Sequence, residues 1–317
     1  MTKVRLAILA ALAAGLAATP AQAQLARTYV SAVNGNDAND CNRLTPCRTF
    51  QVAHDKTLAN GEITVLDPGG YGAATIGKTI SIINDGVGEA GVLVSGGGTG
   101  ITINAGAGDA VSLRGLTVKG IGFGGGNGIQ FTSGKSLTIE NCAIRNLTGA
   151  NPIGFGVDFR PTASSSLAIS NTLVADNDNI GIHVRPTGAG TVVATFSRVE
   201  VYNSGLSGLF VIGSSSSGTI KATVVDSVAV GNGNTGFGVA SAGAPSSLMV
   251  VRSISANNLS GMTASFASAT LRVSQSTVTG NAGSVPAFNG AIVRSYGDND
   301  IDGNGDGDPA PTVIAKK

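Results

Sequence analysis

Two short segments place acidic, basic and imidazole side chains at matching positions. They read GVDFRPT and GIHVRPT, and they start 25 residues apart. Alternate residues of a strand point to opposite faces, so Asp158, Arg160, His183 and Arg185 are predicted to share the outward face. An imidazole beside a carboxylate is a candidate general base, and two arginines are a candidate clamp for an acidic sugar. Gln130, in the matching segment one repeat earlier, extends this row.

The row therefore has two interpretations. As a site, its candidate catalytic residues are Asp158, His183 and Arg185, and Gln130 and Arg160 join them as candidate ligand-binding residues. Elimination at a uronate needs a base near C-5 and positive charge on the carboxylate, and the row offers both. As a surface ladder, it would only satisfy the need for polar residues on an outward face. Two stacked arginines repel each other, which favours a nearby anion, but the sequence leaves both interpretations open.

A second candidate site is the acidic segment DNDIDGNGDGD near the C-terminus. Its carboxylates recur at alternate positions and are followed by glycine turns, a spacing that suits a hard cation such as calcium. The predicted metal ligands are Asp298, Asp300, Asp302 and Asp306. The glutamate that completes an EF-hand loop is missing, so an acidic turn that leaves the last repeat is the alternative.

The three cysteines divide into a pair and a single residue. Cys41 and Cys47 lie six residues apart in a polar, turn-rich loop. We predict that they form a disulfide, because an exported protein meets an oxidising compartment; two free thiols are the alternative. Cys142 has no evident partner and is interpreted as a buried thiol.

The elements that must position these residues repeat along the chain. A glycine opens each copy of a short alternating run, and successive copies start 23 to 30 residues apart. The opening glycines are Gly128, Gly156, Gly181, Gly208, Gly238, Gly261 and Gly290. A second run in each copy, such as LAISNTLV, alternates around a small polar break. Period-two alternation predicts strands, and a repeat of this length predicts a solenoid.

Two polar columns mark the corners of the predicted repeat. The residues that close successive copies are Asn177, Asn203, Asn232, Asn258 and Asn281. The residues at the tight turn inside each copy are Asn141, Asn171, Ser197 and Asp226. Asparagine tolerates the left-handed conformation, and stacked amides can bond one another. Because parallel crossovers are nearly always right-handed, the predicted fold class is all-β: a right-handed parallel β-helix with an N-terminal capping segment.

Composition divides the chain into four predicted segments. A basic start, a short apolar run and an A-x-A site indicate a secretory signal peptide over residues 1–23, and hence a periplasmic or extracellular location. Residues 24–60 are predicted to form a cap with a short helix, residues 61–297 the β-helix, and residues 298–317 an acidic tail.

Net charge excludes some classes of partner. The 317 residues include 20 basic and 19 acidic ones, and removal of the signal peptide takes away two basic residues, leaving 18 against 19. Near-zero charge gives no reason to propose nucleic acid or an anionic membrane as partner, and no membrane span is predicted after cleavage. Tryptophan is absent and only four tyrosines are present, so aromatic platforms for sugars are scarce.

Parts of the chain resemble a known family. The segment YVSAVNGNDANDCNRLTPCRTF followed by GEITVLDPGGYG is similar to the start of exported pectin-lyase-like β-helix proteins. The later VSLRGLTVKG and GNGIQF are similar to right-handed β-helix repeat proteins of Gram-negative bacteria. The resemblance implies the fold; the superfamily includes pectate lyases, pectin lyases, polygalacturonases and many members without known activity. The paired aspartates of the polygalacturonase type are not found here, and Asp158 is the single aspartate that the row offers to a calcium-dependent lyase.

The functional prediction is an exported β-helix protein that binds an extracellular, acidic polysaccharide. If it also processes this ligand, the resemblance implies a polysaccharide lyase or a glycoside hydrolase. The alternative is a non-catalytic surface or matrix protein in which the solenoid is a rigid spacer or an adhesive. Calcium at the acidic tail is the one cofactor that the sequence suggests.

Overall fold

The structure is a computed structural model that describes residues 24–121, 125–149 and 152–316. The described chain is a right-handed parallel β-helix, which confirms the predicted fold class. The predicted signal peptide, residues 1–23, lies outside the described residues, so export remains a prediction. Among the described residues, no helix has the length and apolar character needed to cross a bilayer.

One helix and 29 strands are described, in chain order. The helix α1 is Phe50–Lys56. The first strands are β1 Leu25–Val30, β2 Thr57–Val65, β3 Gly69–Gly70, β4 Ala74–Ile76, β5 Ile80–Ile83, β6 Ala90–Leu93, β7 Thr99–Asn104, β8 Ala110–Arg114 and β9 Leu116–Lys119. The next are β10 Asn127–Ser133, β11 Ser136–Glu140, β12 Ala143–Arg145, β13 Val157–Phe159, β14 Ser165–Ala175, β15 Ile182–Val184, β16 Val192–Tyr202, β17 Leu209–Ile212, β18 Ile220–Val225 and β19 Val228–Val230. The last are β20 Thr235–Ala240, β21 Ser246–Val251, β22 Ile254–Ala256, β23 Ser260–Ser265, β24 Ala269–Ser274, β25 Thr277–Thr279, β26 Ala287–Phe288, β27 Ile292–Ser295, β28 Asp300–Ile301 and β29 Thr312–Val313.

These strands form two sheets, and each coil contributes to both. Sheet A has twenty strands; sheet B has nine, from β4 through β7, β10, β13, β15, β17, β20 and β23 to β26. In one coil the chain passes from β13 in sheet B to β14 in sheet A and then to β15 in sheet B. Strand β14 bends at Asn171, which has a φ of 47°. Because an asparagine adopts this left-handed conformation at little cost, the bend leaves the strand pairing intact on both sides.

Apolar side chains alternate inward and fill the space between the sheets. In β14, Leu167, Ile169 and Val174 are buried, while the residues between them are mostly more exposed. A core of stacked Val, Ile, Leu and Phe residues thus runs the length of the solenoid. This packing explains why the period-two pattern identified the strands correctly.

A column of glycines stands where each coil enters sheet B. A Cβ atom on Gly156 would lie 2.4 Å from the carbonyl oxygen of Gly181, and one on Gly236 would lie 2.7 Å from that of Gly261. Neighbouring backbones approach too closely here for any side chain. The predicted column was wrong at Gly238, because Gly236 holds this position in its coil. It was also wrong at Gly290, because Ser284 lies opposite Gly261 and the run after Gly290 is β27 of sheet A.

Two ladders of side chains run along the corners inside the solenoid. The amides of Asn232, Asn258, Asn281 and Asn304 are joined by Nδ2 to Oδ1 hydrogen bonds of 2.9, 3.0 and 2.9 Å. At the tight bend, hydroxyl groups such as those of Thr172 and Ser227 accept a backbone N–H from the preceding coil.

Two members of the predicted polar columns were wrong by one residue. Asn203 was expected in the amide ladder, but Ser204 occupies that position, and its backbone N–H donates to Asn232 Oδ1. Asn203 instead has a positive φ and donates to Asp176 outside the core. Ser197 was expected at the bend, but the left-handed residue there is Arg198.

The N-terminal segment covers the first edge of the solenoid. Strand β1 pairs with β2, and the Cys41 to Cys47 loop bonds to the backbone of Tyr29 on both of its arms. Cys41 and Cys47 form the predicted disulfide, and Cys142 is a buried free thiol. Helix α1 begins after Thr49, whose hydroxyl accepts a hydrogen bond from the backbone N–H of Val52. This arrangement protects a strand edge that would otherwise be open to pairing with another chain.

Pairing continues beyond the predicted end of the β-helix at residue 297. Strand β28 pairs with β25, and β29 pairs with β27. The four segment boundaries remain predictions, but the described part of the acidic tail lies against the last coils.

Candidate functional site

The predicted row lies on the outer face of sheet B, on or directly after three neighbouring strands. Gln130 of β10 is in register with Asp158 of β13, which is in register with His183 of β15. The next residue of the row is Phe210 of β17. Arg160 and Arg185 follow the ends of β13 and β15, each before a proline. Coil stacking thus brings together all five residues that the sequence grouped.

Asp158 is buried, although its position faces outward from the core. Its exposed fraction is 0%, and Arg185 donates to both of its oxygens, at 2.7 Å from Nε and 2.8 Å from Nη2. Gln130 Nε2 adds a donor at 3.3 Å. The expectation of a solvent-facing carboxylate was wrong because neighbouring side chains cover it. A two-fold arginine pair of this kind fixes both groups in orientation.

Arg160 completes a cluster with more positive than negative charge. Its Nε lies 3.6 Å from Asp158 Oδ2, too far for a hydrogen bond but within ion-pair range. That Nε is buried and has no hydrogen-bond partner among the described residues. The side chains of Arg160 and Arg185 are 39% and 29% exposed. Two guanidinium groups against one carboxylate leave a surplus of one positive charge at the surface.

His183 is held in an apolar pocket beside this cluster. Its ring centroid lies 5.0 Å from that of Phe155, and Arg185 stacks over Phe155 at 5.4 Å. Neither ring nitrogen of His183 has a hydrogen-bond partner among the described residues, and the residue is only 6% exposed. Asp158 and His183 are neighbours in register, as predicted, but no hydrogen bond joins them, because both oxygens of Asp158 accept from Arg185.

The surroundings of His183 favour its neutral form. Burial, and after it the neighbouring Arg185 cation, lowers the pKa of His183 to about 4, against a smaller opposing effect from Asp158. Desolvation disfavours a charged imidazole, and a nearby cation adds to that effect. At neutral pH the ring is thus unprotonated, and none of the described residues donates a hydrogen bond to it.

Sequence reasoning missed the two aromatic residues of this site. Phe155 lies in the corner before β13 and is 2% exposed, packed on His183 rather than in the main core cluster. Phe210 holds the outward position next to His183, and its ring covers Gly238, where a Cβ atom would lie only 2.3 Å from Cε2. The alternation of GLFV was the available signal for Phe210, since it points that side chain outward.

The acidic tail disperses its carboxylates. Asp298 accepts hydrogen bonds from Ser274 and pairs with Lys316 at 2.7 Å, whereas Asp306 accepts from Ser284. Asp300 and Asp302 belong to neither of these contacts. Within residues 24–121, 125–149 and 152–316, no three His, Cys, Asp or Glu side chains are grouped as metal ligands would be. Calcium binding by these four aspartates remains a prediction from the sequence.

Known proteins share this architecture. A family model described as a right-handed β-helix region matches residues 62–244. The A-module of a mannuronan C-5 epimerase from Azotobacter vinelandii is 15% identical, with 81% of this chain and 91% of that chain covered and a TM-score of 0.52. A pectate lyase is 17% identical, with 91% and 77% covered and a TM-score of 0.49.

A lacto-N-biosidase from Eubacterium ramulus is 11% identical, with 86% of this chain and 67% of that chain covered and a TM-score of 0.48. A comparison with curated protein sequences gave no significant match. At these identities the likeness to solved structures concerns the fold alone. The family model, in contrast, spans more than half of the sequence. The chain therefore belongs to the family of proteins with a right-handed β-helix region.

Proposed function

We propose that this is an exported protein that binds an acidic polysaccharide along the outer face of sheet B. The observation that carries the proposal is the surplus guanidinium at Asp158, where Arg160 and Arg185 share one buried carboxylate. Both arginine side chains are partly exposed on a protein of nearly balanced charge. A ligand carboxylate would complete the cluster by giving Arg160 the partner that Asp158 cannot.

Each residue of the row has a defined part in this binding. Asp158 is a positioning residue, because its oxygens are taken by Arg185 and it has no exposed surface. Arg185 is thereby held rigid, with the N–H groups not used by Asp158 free to meet a ligand. Arg160 is the more exposed cation, and Gln130 extends the polar surface by one strand, or about 4.8 Å. Rigid cations bind with less loss of side-chain entropy than mobile ones.

Processing of the bound chain would fall to His183. Removal of the proton beside a uronate carboxylate requires an unprotonated base, and His183 is unprotonated at neutral pH, although its lowered pKa makes it a weaker base than an exposed histidine. Arg160 and Arg185 would neutralise the carboxylate as negative charge develops, and the electron pair from C-5 would form the C-4 to C-5 double bond as the sugar linked through O-4 leaves and takes a proton from solvent. The epimerase of similar fold is named for a reaction at C-5 of mannuronan, which makes this atom the reasonable target. Phe155 must move from His183 for substrate to reach the ring, because the residue is 6% exposed.

Export is supported by two independent features. The sequence predicts a signal peptide, and Cys41 and Cys47 are bridged. Disulfides persist in oxidising compartments such as the periplasm and the cell exterior. An acidic polysaccharide is a ligand that the protein would meet there.

A structural role is the second candidate. The Asp158–Arg185 pair ties two consecutive coils together, which is what a rigid spacer or adhesive solenoid would use. Under this alternative the row contributes stability and binds nothing.

The test compares Arg160→Gln with Arg145→Gln on sheet A, a matched control that removes one exposed arginine without an ion pair in the described chain. Affinity electrophoresis in polygalacturonate should show about tenfold weaker binding for Arg160→Gln, as loss of a charged hydrogen bond implies. The control variant, and neutral dextran as matrix, should show no change. If Arg160→Gln and wild type are retained equally, the row does not bind the polysaccharide and the structural role is favoured.

Turnover is measured separately from binding. His183→Leu should keep retention on polygalacturonate while abolishing any formation of unsaturated products or reducing ends from acidic polysaccharides. Turnover by His183→Leu at the wild-type rate would exclude His183 as the base.

A further inference from the structure

A second cationic surface lies on sheet A, near the C-terminal end of the solenoid. Arg272 of β24 and Arg294 of β27 are direct cross-strand partners on the outward face. Like charges at directly opposed positions of a sheet destabilise it, unless an opposite charge lies between them. Within the described part of the chain, neither arginine takes part in an ion pair or a side-chain hydrogen bond.

A cleft of about 700 Å³ opens beside Arg272. One wall is formed by Met249, Arg272, Ser274 and Tyr296, and the other by the tail residues Ile314, Ala315 and Lys316. The size and the mixture of apolar and polar side chains are those of a small-molecule site. We call this space the tail cleft.

The tail wall is held in place by backbone and side-chain contacts. Strand β29 pairs with β27, and the backbone N–H of Ile314 donates to Ser295 at 2.8 Å. Lys316 Nζ lies 2.7 Å from Asp298 Oδ2, and Asp298 also accepts from Ser274 at 3.0 Å. Asp298 is thus paired with Lys316 and hydrogen-bonded to Ser274, so it does not serve as a counter-ion for Arg272.

We propose that the tail cleft is a second saccharide site, which binds one uronate unit through Arg272 in its lining and through Arg294, the cross-strand partner of Arg272 outside that lining. The carboxylate would lie between the two guanidinium groups, which satisfies the unpaired charges and relieves their repulsion. The sugar ring would pack against Tyr296 and Met249, since a tyrosine offers an apolar face beside a polar hydroxyl. The site takes the ligand class of the proposed function but does not depend on the sheet B row.

A protein with both sites would hold one polysaccharide chain, or two chains, at separate sheets. Two linked weak sites raise the overall avidity without any new contact, provided that one ligand can reach both. A long polymer would therefore bind more tightly than a short oligomer of the same units.

The test measures trigalacturonic acid binding by calorimetry on the full exported protein. Wild type should bind two equivalents, Arg160→Gln one strong equivalent, and Arg272→Ser/Arg294→Ser one. Combining the three substitutions should remove both strong equivalents, because each site would bind about tenfold more weakly or worse. The matched control Arg145→Ser/Lys221→Ser removes two exposed cations of sheet A and should leave both equivalents in place.

The outcomes separate this proposal from the proposed function. Loss of an equivalent in Arg272→Ser/Arg294→Ser alone supports the tail cleft, even if Arg160→Gln binds as wild type does. Unchanged binding in Arg272→Ser/Arg294→Ser, or an equal loss in the control variant, overturns it. Full displacement of the trisaccharide by an equal concentration of inorganic sulfate would overturn the assignment to a sugar unit.

Discussion

His183 should make the protein less stable as the pH falls below 6.5. Its pKa in the folded chain is about 4, whereas an unfolded histidine has a pKa near 6.5. As the pH falls through this range, the unfolded state binds the proton and the folded state does not. The free energy of unfolding is therefore highest above pH 6.5, declines between pH 6.5 and 4, and levels off below that as far as this group is concerned.

The size of the effect follows from the difference between the two pKa values. Each pH unit of separation is worth about 1.4 kcal/mol, so the window from pH 6.5 to 4 corresponds to a loss of roughly 3 kcal/mol. Carboxylates contribute at lower pH, because the described aspartates with resolved changes, such as Asp226 and Asp298, have pKa values lowered from 3.8. Between about pH 6.5 and 5 the histidine window is thus largely free of their titration, whereas between about pH 5 and 4 they add to the loss.

The measurement is the free energy of unfolding from urea denaturation at a series of pH values. His183→Leu should flatten the curve between pH 6.5 and 4. His54→Gln serves as the matched control, because His54 is the other histidine of the chain and its Nε2 accepts a hydrogen bond from the Gly77 backbone N–H. A wild-type slope that survives in His183→Leu would refute the argument that burial against Phe155 and Arg185 holds this ring neutral.

Two further predictions concern buried polar groups. Ser204→Asn should stabilise the fold by about 1 kcal/mol, because the new amide would accept from Asn177 Nδ2 and donate to Asn232 Oδ1. Asn232→Ser, which opens the ladder, should cost about 2 kcal/mol. Thermal or urea unfolding measures both changes, and a Ser204→Asn variant less stable than Asn232→Ser would refute the reasoning. Asp158→Asn should cost about 3 kcal/mol, the lower end for a broken buried pair, since Arg185 is partly exposed; unchanged urea unfolding would show that the pair adds no stability.

The fold could be predicted from the sequence because its determinants are local. Alternation in LAISNTLV fixes which residues of β14 are buried, and repeated corners fix the length of each coil. The exact corner residue could not be predicted at either corner of the coil that contains β16. Adjacent polar residues, Asn203 with Ser204 and Ser197 with Arg198, compete for one corner position. Only the stacking of neighbouring coils decides which one turns inward.

The sequence predicted which residues lie together in the candidate site, but not which of their atoms form hydrogen bonds. Register alone brings Asp158 beside His183, as the sequence indicated. The sequence did not indicate the hydrogen-bond partner of Asp158, because the side chain of Arg185 reaches back across one strand and donates to both carboxylate oxygens. Phe155 covers His183 from a corner loop. The sequence did not predict this contact, because the path of a loop does not follow the periodic pattern of the strands.

The distribution of unsatisfied polar atoms argues that this part of the solenoid differs from the rest. Among the described residues, the buried side-chain atoms without a hydrogen-bond partner belong to Arg160, Asn177, Asn179, His183 and Ser204. All five residues lie in the coils that carry the row or next to it. In the following coils, by contrast, the amide ladder is closed from one coil to the next through its last described member.

A solenoid built only for rigidity has no reason to leave its middle coils unsatisfied, because the same chain closes the ladder elsewhere with one asparagine per coil. Unpaired buried groups cost stability, and in natural proteins each such group calls for an explanation, such as strain, a reaction, or a bound ligand, water or ion. Of the two proposed roles, polysaccharide binding accounts for open donors and acceptors around Arg160 and His183, and the spacer role does not. If Ser204→Asn stabilises the protein and also leaves polygalacturonate binding intact, the missing asparagine in the amide ladder plays no part in binding. The open groups of Arg160 and His183 then remain as the ones that the ligand would fill.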